Sequence, residues 1–127
     1  DEISELVNFK EENFTQCVIN NTKKLIAVKV EEEGLFNVKC YICMYGWENR
    51  DDVKLYEIEE TPNQIVTCND MVAVDTGNKI IFIHTNGNFV KKCEYNGQLK
   101  DIQLFNQGKT AVLLFRESAE LIKVGGM

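Results

Sequence analysis

Long apolar runs are missing from this chain of 127 residues. None approaches the roughly 20 residues that cross a bilayer as a helix, and no charged-then-apolar leader opens the sequence, so direct membrane insertion is not expected. Positive charge is scarce as well: 14 Lys+Arg stand against 20 Asp+Glu, for a formal net charge of -6. The densest basic sites are the pairs Lys23-Lys24 and Lys91-Lys92. Nucleic-acid binding needs a stripe of cations with aromatic platforms, and nothing of that kind is present. Histidine is reduced to His84, with no serine or cysteine at a recognisable nucleophile spacing, so its expected role is at the surface or capping a turn. No Gly-rich loop joins a strand to a helix, since Gly125-Gly126 closes the chain, and no nucleotide cofactor is expected.

The five cysteines, Cys17, Cys40, Cys43, Cys68 and Cys93, are odd in number and sit mostly within apolar stretches, where a free thiol behaves as a small hydrophobe. This usage fits a reducing compartment, intracellular and most simply cytoplasmic. Two glycosylation-type triplets, Asn13-Phe14-Thr15 and Asn20-Asn21-Thr22, would matter only on a secreted chain. Cys40-Tyr41-Ile42-Cys43 has the spacing of zinc and redox motifs. On a strand, however, positions 40 and 43 point to opposite faces and no second ligand pair exists, so both are expected in the core and no metal is assigned. The 44% hydrophobic share suits one core of ordinary size, hence one unit over residues 1–127. A start at Asp1 and an end at Met127 fit a longer parent chain or a processed precursor.

From Cys17 onward the sequence reads as strand after strand. Apolar segments run Cys17–Ile19, Leu25–Val30, Phe36–Tyr45, Val53–Ile58, Ile65–Cys68, Met71–Val74, Lys79–His84, Phe89–Tyr95, Leu99–Phe105, Ala111–Phe115 and Leu121–Val124. Thr76-Gly77-Asn78, Asn86-Gly87, Asn96-Gly97 and Gln107-Gly108 supply the positive φ that tight β connections need, so neighbours are expected to pair in sequence order. Alternation in Phe36, Val38, Cys40, Ile42 and Met44 predicts one better-buried face. Ile80–Ile83 and Val112–Phe115 are apolar on both faces and predict sheets stacked on sheets. Glu31–Glu33 with Gly34, and Trp47–Asp52, read as extended hairpin loops. The first twelve residues fit either a short helical turn or an entering strand.

Met71–His84 and Ala111–Val124 repeat one pattern about forty positions apart: apolar run, polar turn, apolar run, glycine. Grouping by turns gives units at 13–60, 62–95 and 99–124, the last without a fourth strand. The segment Asn96–Leu114, within residues 60–124, resembles a β-propeller of the WD-repeat type, although that family's Gly-His and Trp-Asp dipeptides are absent. The resemblance implies antiparallel four-stranded blades, about three of them, where a propeller closes with roughly four to eight. The expected fold is therefore all-β, an incomplete propeller belonging to a larger one or completed by a partner chain. A small β-sandwich or barrel is the alternative.

Function follows from that incompleteness. The expected role is a non-catalytic protein–protein interaction scaffold within a multi-subunit assembly, of membrane-traffic or nuclear-pore type by analogy of fold alone. Its partner is a protein or the missing remainder of a larger chain. Tyr45, Trp47, Glu48 and Arg50 are the candidate contact residues, because Trp, Tyr and Arg anchor interfaces. Two rivals remain. Ala73-Val74-Asp75-Thr76-Gly77 resembles the aspartic protease signature, which would make Asp75 catalytic in a homodimer, although Asn78 stands where that family has Ala or Ser. A small β-barrel carrying an apolar ligand is the other.

Overall fold

The computed structural model describes residues 12–33, 38–48 and 53–125. Among the described residues there are eleven strands and no helix: β1 Glu12–Asn20, β2 Leu25–Glu33, β3 Val38–Gly46, β4 Val53–Ile58, β5 Gln64–Cys68, β6 Met71–Asp75, β7 Lys79–His84, β8 Phe89–Glu94, β9 Asp101–Phe105, β10 Thr110–Leu114 and β11 Ala119–Lys123. Short turns leave sequential neighbours no alternative but to pair antiparallel. The result is three meanders, a first sheet β1-β2-β3-β4, a middle sheet β5-β6-β7-β8 and a third sheet β9-β10-β11. Every apolar segment picked out by pattern overlaps one of these strands, and the three groups bounded by turns correspond to the three sheets. All three sheets are open among the described residues, so the barrel alternative, which needs a sheet closed on itself, does not describe this fold.

Each sheet packs through its side-chain alternation. On β6 and β7, Val72, Val74, Ile81 and Ile83 point to the first sheet, where they meet Ala27, Ile42, Met44 and Ile58. The intervening Met71, Ala73, Ile80 and Phe82 point the other way, to Ile102, Ala111, Leu113 and Val124 of the third sheet. The central strands β6 and β7 are thus buried on both faces, which is why they are continuous apolar runs. Full burial of one such side chain is worth about 1.5–3 kcal/mol before entropy is counted.

The first hairpins of the three sheets also meet one another. β1 lies alongside β5, and β5 alongside β9. Asn20, 3% exposed, donates through Nδ2 to Thr67 Oγ1 and to the Asn69 carbonyl, both at 2.8 Å, while Lys23 pairs with Asp70 at 2.5 Å. The matching corner of the third sheet holds Gly108 at φ 81°, where a Cβ would lie 2.5 Å from the Cys68 carbonyl oxygen. Only glycine fits that approach.

Two expectations need correcting. Glu31–Glu33 belong to β2 rather than to a loop, in register with Cys40, Lys39 and Val38. Two of them find partners in place: Lys29 lies 3.7 Å from Glu31, and the Tyr41 hydroxyl donates to Glu32 at 3.1 Å. The second concerns β3, which is buried on both faces. Ile42 and Met44 join the contact with the middle sheet, whereas Cys43 and Tyr45 form a separate cluster with Val28 and Val30. Of the two segments read as loops or left open, residues 49–52 and 1–11 lie outside the described residues.

Candidate protein interface

The four contact residues chosen from sequence do not form one surface. Tyr45 is 1% exposed and belongs to the core cluster on the far face of the first sheet. Trp47 is half-buried, with its backbone N–H donating to the Lys24 carbonyl at 3.1 Å. Glu48 is exposed and pairs with Lys24 Nζ at 3.0 Å. Arg50 lies outside the described residues. Alternation explains the fate of Tyr45: it is the last inward position of β3, paired with Ile26 on β2 and Val53 on β4.

Cys40 and Cys43 are buried, as expected, and they divide between the two faces of β3, whereas Cys17 is exposed and Cys68 and Cys93 are half-buried. Among the described residues no cluster of His, Cys, Asp and Glu could hold a metal ion. His84 caps a turn, its Nδ1 accepting from the Asn86 N–H at 3.1 Å. Of the glycosylation-type triplets, Asn20 has its side-chain amide committed to Thr67 and Asn69, inside the contact between sheets. Asn20 is therefore a structural latch, and Thr67 completes it by donating to the Met71 carbonyl at 2.9 Å.

Asp75 is also inside, at 3% exposure. One carboxylate oxygen accepts from the Tyr95 hydroxyl at 2.6 Å and the Gly77 N–H at 2.9 Å, and the other accepts from Gln64 at 3.2 Å. The carboxylate thereby joins β5, the β6–β7 turn and the end of β8. Burial first, and then the bond and charge of Asp75, push the Tyr95 phenol above its ordinary range. The Tyr95 ring packs at 5.8 Å on Phe115, which extends the network to the third sheet.

A cleft of about 250 Å³ opens between β4 of the first sheet and β7 and β8 of the middle sheet, flanked by Tyr56 and Phe89, whose rings stack at 6.5 Å. Lys79 donates to Glu60 at 2.6 Å across it. That bond, ahead of the charge itself, holds the Glu60 carboxyl below its usual range and lifts the Lys79 ammonium above its own. The pair closes the two sheets together at the surface, where such bridges contribute little to stability.

One face of the third sheet is covered by nothing among the described residues. Residues of β9, β10 and β11 that do not face the middle sheet include Phe105, Leu114 and Leu121, exposed by 43%, 47% and 70%. Val112, half-buried, lies between Leu121 and Gln103 in the register. Asp101, Thr110 and Lys123 surround these side chains at the ends of the strands. An apolar centre with a polar rim is how protein interfaces are built. The run at 112–115, expected to be buried on both faces, is covered on one among the described residues, Leu113 packing on the middle sheet while Leu114 is 47% exposed, and Leu121 carried no signal beyond its membership of a strand. No protein-family profile and no curated protein sequence matches the chain.

Proposed function

We propose that this chain is a non-catalytic protein-interaction module built of propeller-like blades, part of a multi-subunit assembly. The observation that carries the reading is the unequal end of a repeated stack. Two sheet-to-sheet contacts are made by one rule, alternate residues meeting the next sheet. The free face of the third sheet offers the same kind of surface with nothing among the described residues against it, Leu121 being 70% exposed. First strands that approach one another in succession, β1 to β5 to β9, support a radial arrangement of blades. Asp75 is buried and hydrogen-bonded by its own turn, which supports a role without catalysis.

Size-exclusion chromatography with light scattering on the purified chain tests the proposal. The expected result is concentration-dependent self-association or instability alone, and a defined stoichiometric complex with its co-purifying protein. A monodisperse, stable monomer that engages no protein overturns it.

A further inference from the structure

Among the described residues the third sheet has three strands where the other two have four, and the hydrogen-bond phase of β11 shows what a fourth strand would meet. Val124 donates to the Lys109 carbonyl at 2.8 Å, and Phe115 donates to the Ser118 carbonyl at 2.8 Å. In the antiparallel register of β10 with β11, these bonds direct the backbone groups of Glu120 and Ile122 toward β10. The N–H and C=O groups of Ala119, Leu121 and Lys123 therefore point off the open edge. One of them reveals that direction, since the Lys123 carbonyl accepts from Lys91 Nζ at 2.9 Å. In the middle sheet the corresponding strand is β7, and its outward groups are satisfied by β8, as in the His84 N–H donating to the Asn88 carbonyl at 2.8 Å.

Of the features that blunt an exposed strand, the short edge of β11 carries the charges of Glu120 and Lys123 but no break in its pairing. Its pairing with β10 is regular from Ala119 to Lys123, without a bulge, and the segment has no proline. Its side chains also specify a partner. Leu121 pairs with Val112 as Phe82 pairs with Ala73, so Leu121 stands in the place of Phe82 and Glu120 in the place of Ile81. Ile81 has Lys92 of β8 directly opposite it. A cation at that position of an added strand would lie opposite the exposed Glu120, where unlike charges stabilise a cross-strand pair.

We propose that a partner protein adds an extended strand antiparallel to β11, completing a four-stranded third sheet, with an apolar residue opposite Leu121 and a Lys or Arg opposite Glu120. Main-chain bonds supply the attachment and these two side chains the selection. The exposed bond from Lys91 to the Lys123 carbonyl is exchanged for a backbone N–H of the incoming strand. The proposal rests on the interaction-module reading but specifies one edge of it.

The test uses a synthetic peptide with the sequence of residues 88–95, the fourth strand of the middle sheet, changed by Cys93→Ser and by Lys91→Val to face Leu121. Titrated into the isotope-labelled protein, it is expected to bind saturably and to slow amide exchange at Ala119 and Leu121 about tenfold or more. Leu121→Pro removes an N–H that makes no bond within the fold. It is expected to weaken binding by about tenfold or more, with the circular dichroism spectrum and melting temperature retained. Glu120→Lys is expected to weaken binding too, and a peptide carrying Lys92→Glu to recover it. Four results overturn the proposal: no binding at about 1 mM peptide, binding indifferent to Leu121→Pro, perturbations confined to Ile80 and Phe82 as the peptide displaces β8, or a homodimer through β11 that Leu121→Pro dissolves. None of these bears on whether the module engages a protein elsewhere, which the light-scattering experiment decides separately.

Discussion

The middle and third sheets are built from the same repeated sequence pattern, yet they end in opposite environments. Phe82 and Leu121 hold corresponding places on the third strand of each, and the first is fully buried while the second is 70% exposed. Nothing local to either residue accounts for this. Phe82 is covered because Ile102, Ala111 and Leu113 arrive from the next sheet, and Leu121 has no next sheet among the described residues. In a stack of thin sheets the burial of a residue is a property of its neighbour, and stability approaches a sum of nearest-neighbour contacts. The same logic separates the two corners. Between the first and middle sheets the corner is held by hydrogen bonds from Asn20, and between the middle and third it is held by the steric fit of Gly108.

The sharpest way to break the comparison is to truncate both corresponding residues. Phe82→Ala should cost about 3–5 kcal/mol in chemical denaturation, while Leu121→Ala should stay within about 0.5 kcal/mol for the chain alone. Equal costs would mean that the third sheet's free face is already covered in solution. Next in size, Gly108→Ala combines a left-handed backbone with a Cβ driven against the Cys68 carbonyl. The expected loss is roughly 2–4 kcal/mol, whereas Gly97→Ala, whose Cβ meets only the Phe115 ring at an ordinary 3.9 Å, should lose only about 1–2 kcal/mol from backbone strain. A smaller effect is expected at the other corner. Asn20→Ala leaves the Asn69 carbonyl without its donor and should cost about 1–2 kcal/mol, while Lys23→Ala breaks only the half-exposed pair with Asp70 and should cost less than about 1 kcal/mol.

The pH dependence sharpens the comparison at the network joining the middle and third sheets. Because burial and Asp75 raise the Tyr95 phenol above its ordinary value of 10.0, the folded chain keeps that proton after the unfolded chain has lost it. The stabilisation is complete below pH 10 and is lost as the pH climbs from there toward the folded value. Unfolding measured across that range should therefore slope downward in the wild type, and Tyr95→Phe should flatten the slope. A slope that survives Tyr95→Phe would assign it to another group.

Much of this was legible in the order of residues. Strand content, the pairing of neighbours and the three groupings follow from alternation and from turn residues such as Asn69 and Gly108, which act within a few positions of themselves. Glu31–Glu33 were misread because three consecutive acids look like a loop until Lys29, two positions back on the same strand, is seen to pair with Glu31 and the β2–β3 register sets Tyr41 within reach of Glu32. Tyr45 suggested a contact residue by its type and proved to be core, and Asn20 suggested a modification site and proved to be a latch. In both cases the deciding groups are far away in sequence, Asn69 and Thr67 for Asn20 and the opposed strands for Tyr45.

By itself, then, the sequence determined which segments are strands and which strands pair, since hydrogen-bonded hairpins are set by local alternation and turn geometry. Only the tertiary structure decided which sheet faces are covered, which polar groups are consumed inside, and that β11 and the face around Leu121 stand open. Those outcomes depend on apolar surface removed from water by residues distant in the chain, a quantity no short stretch of sequence contains.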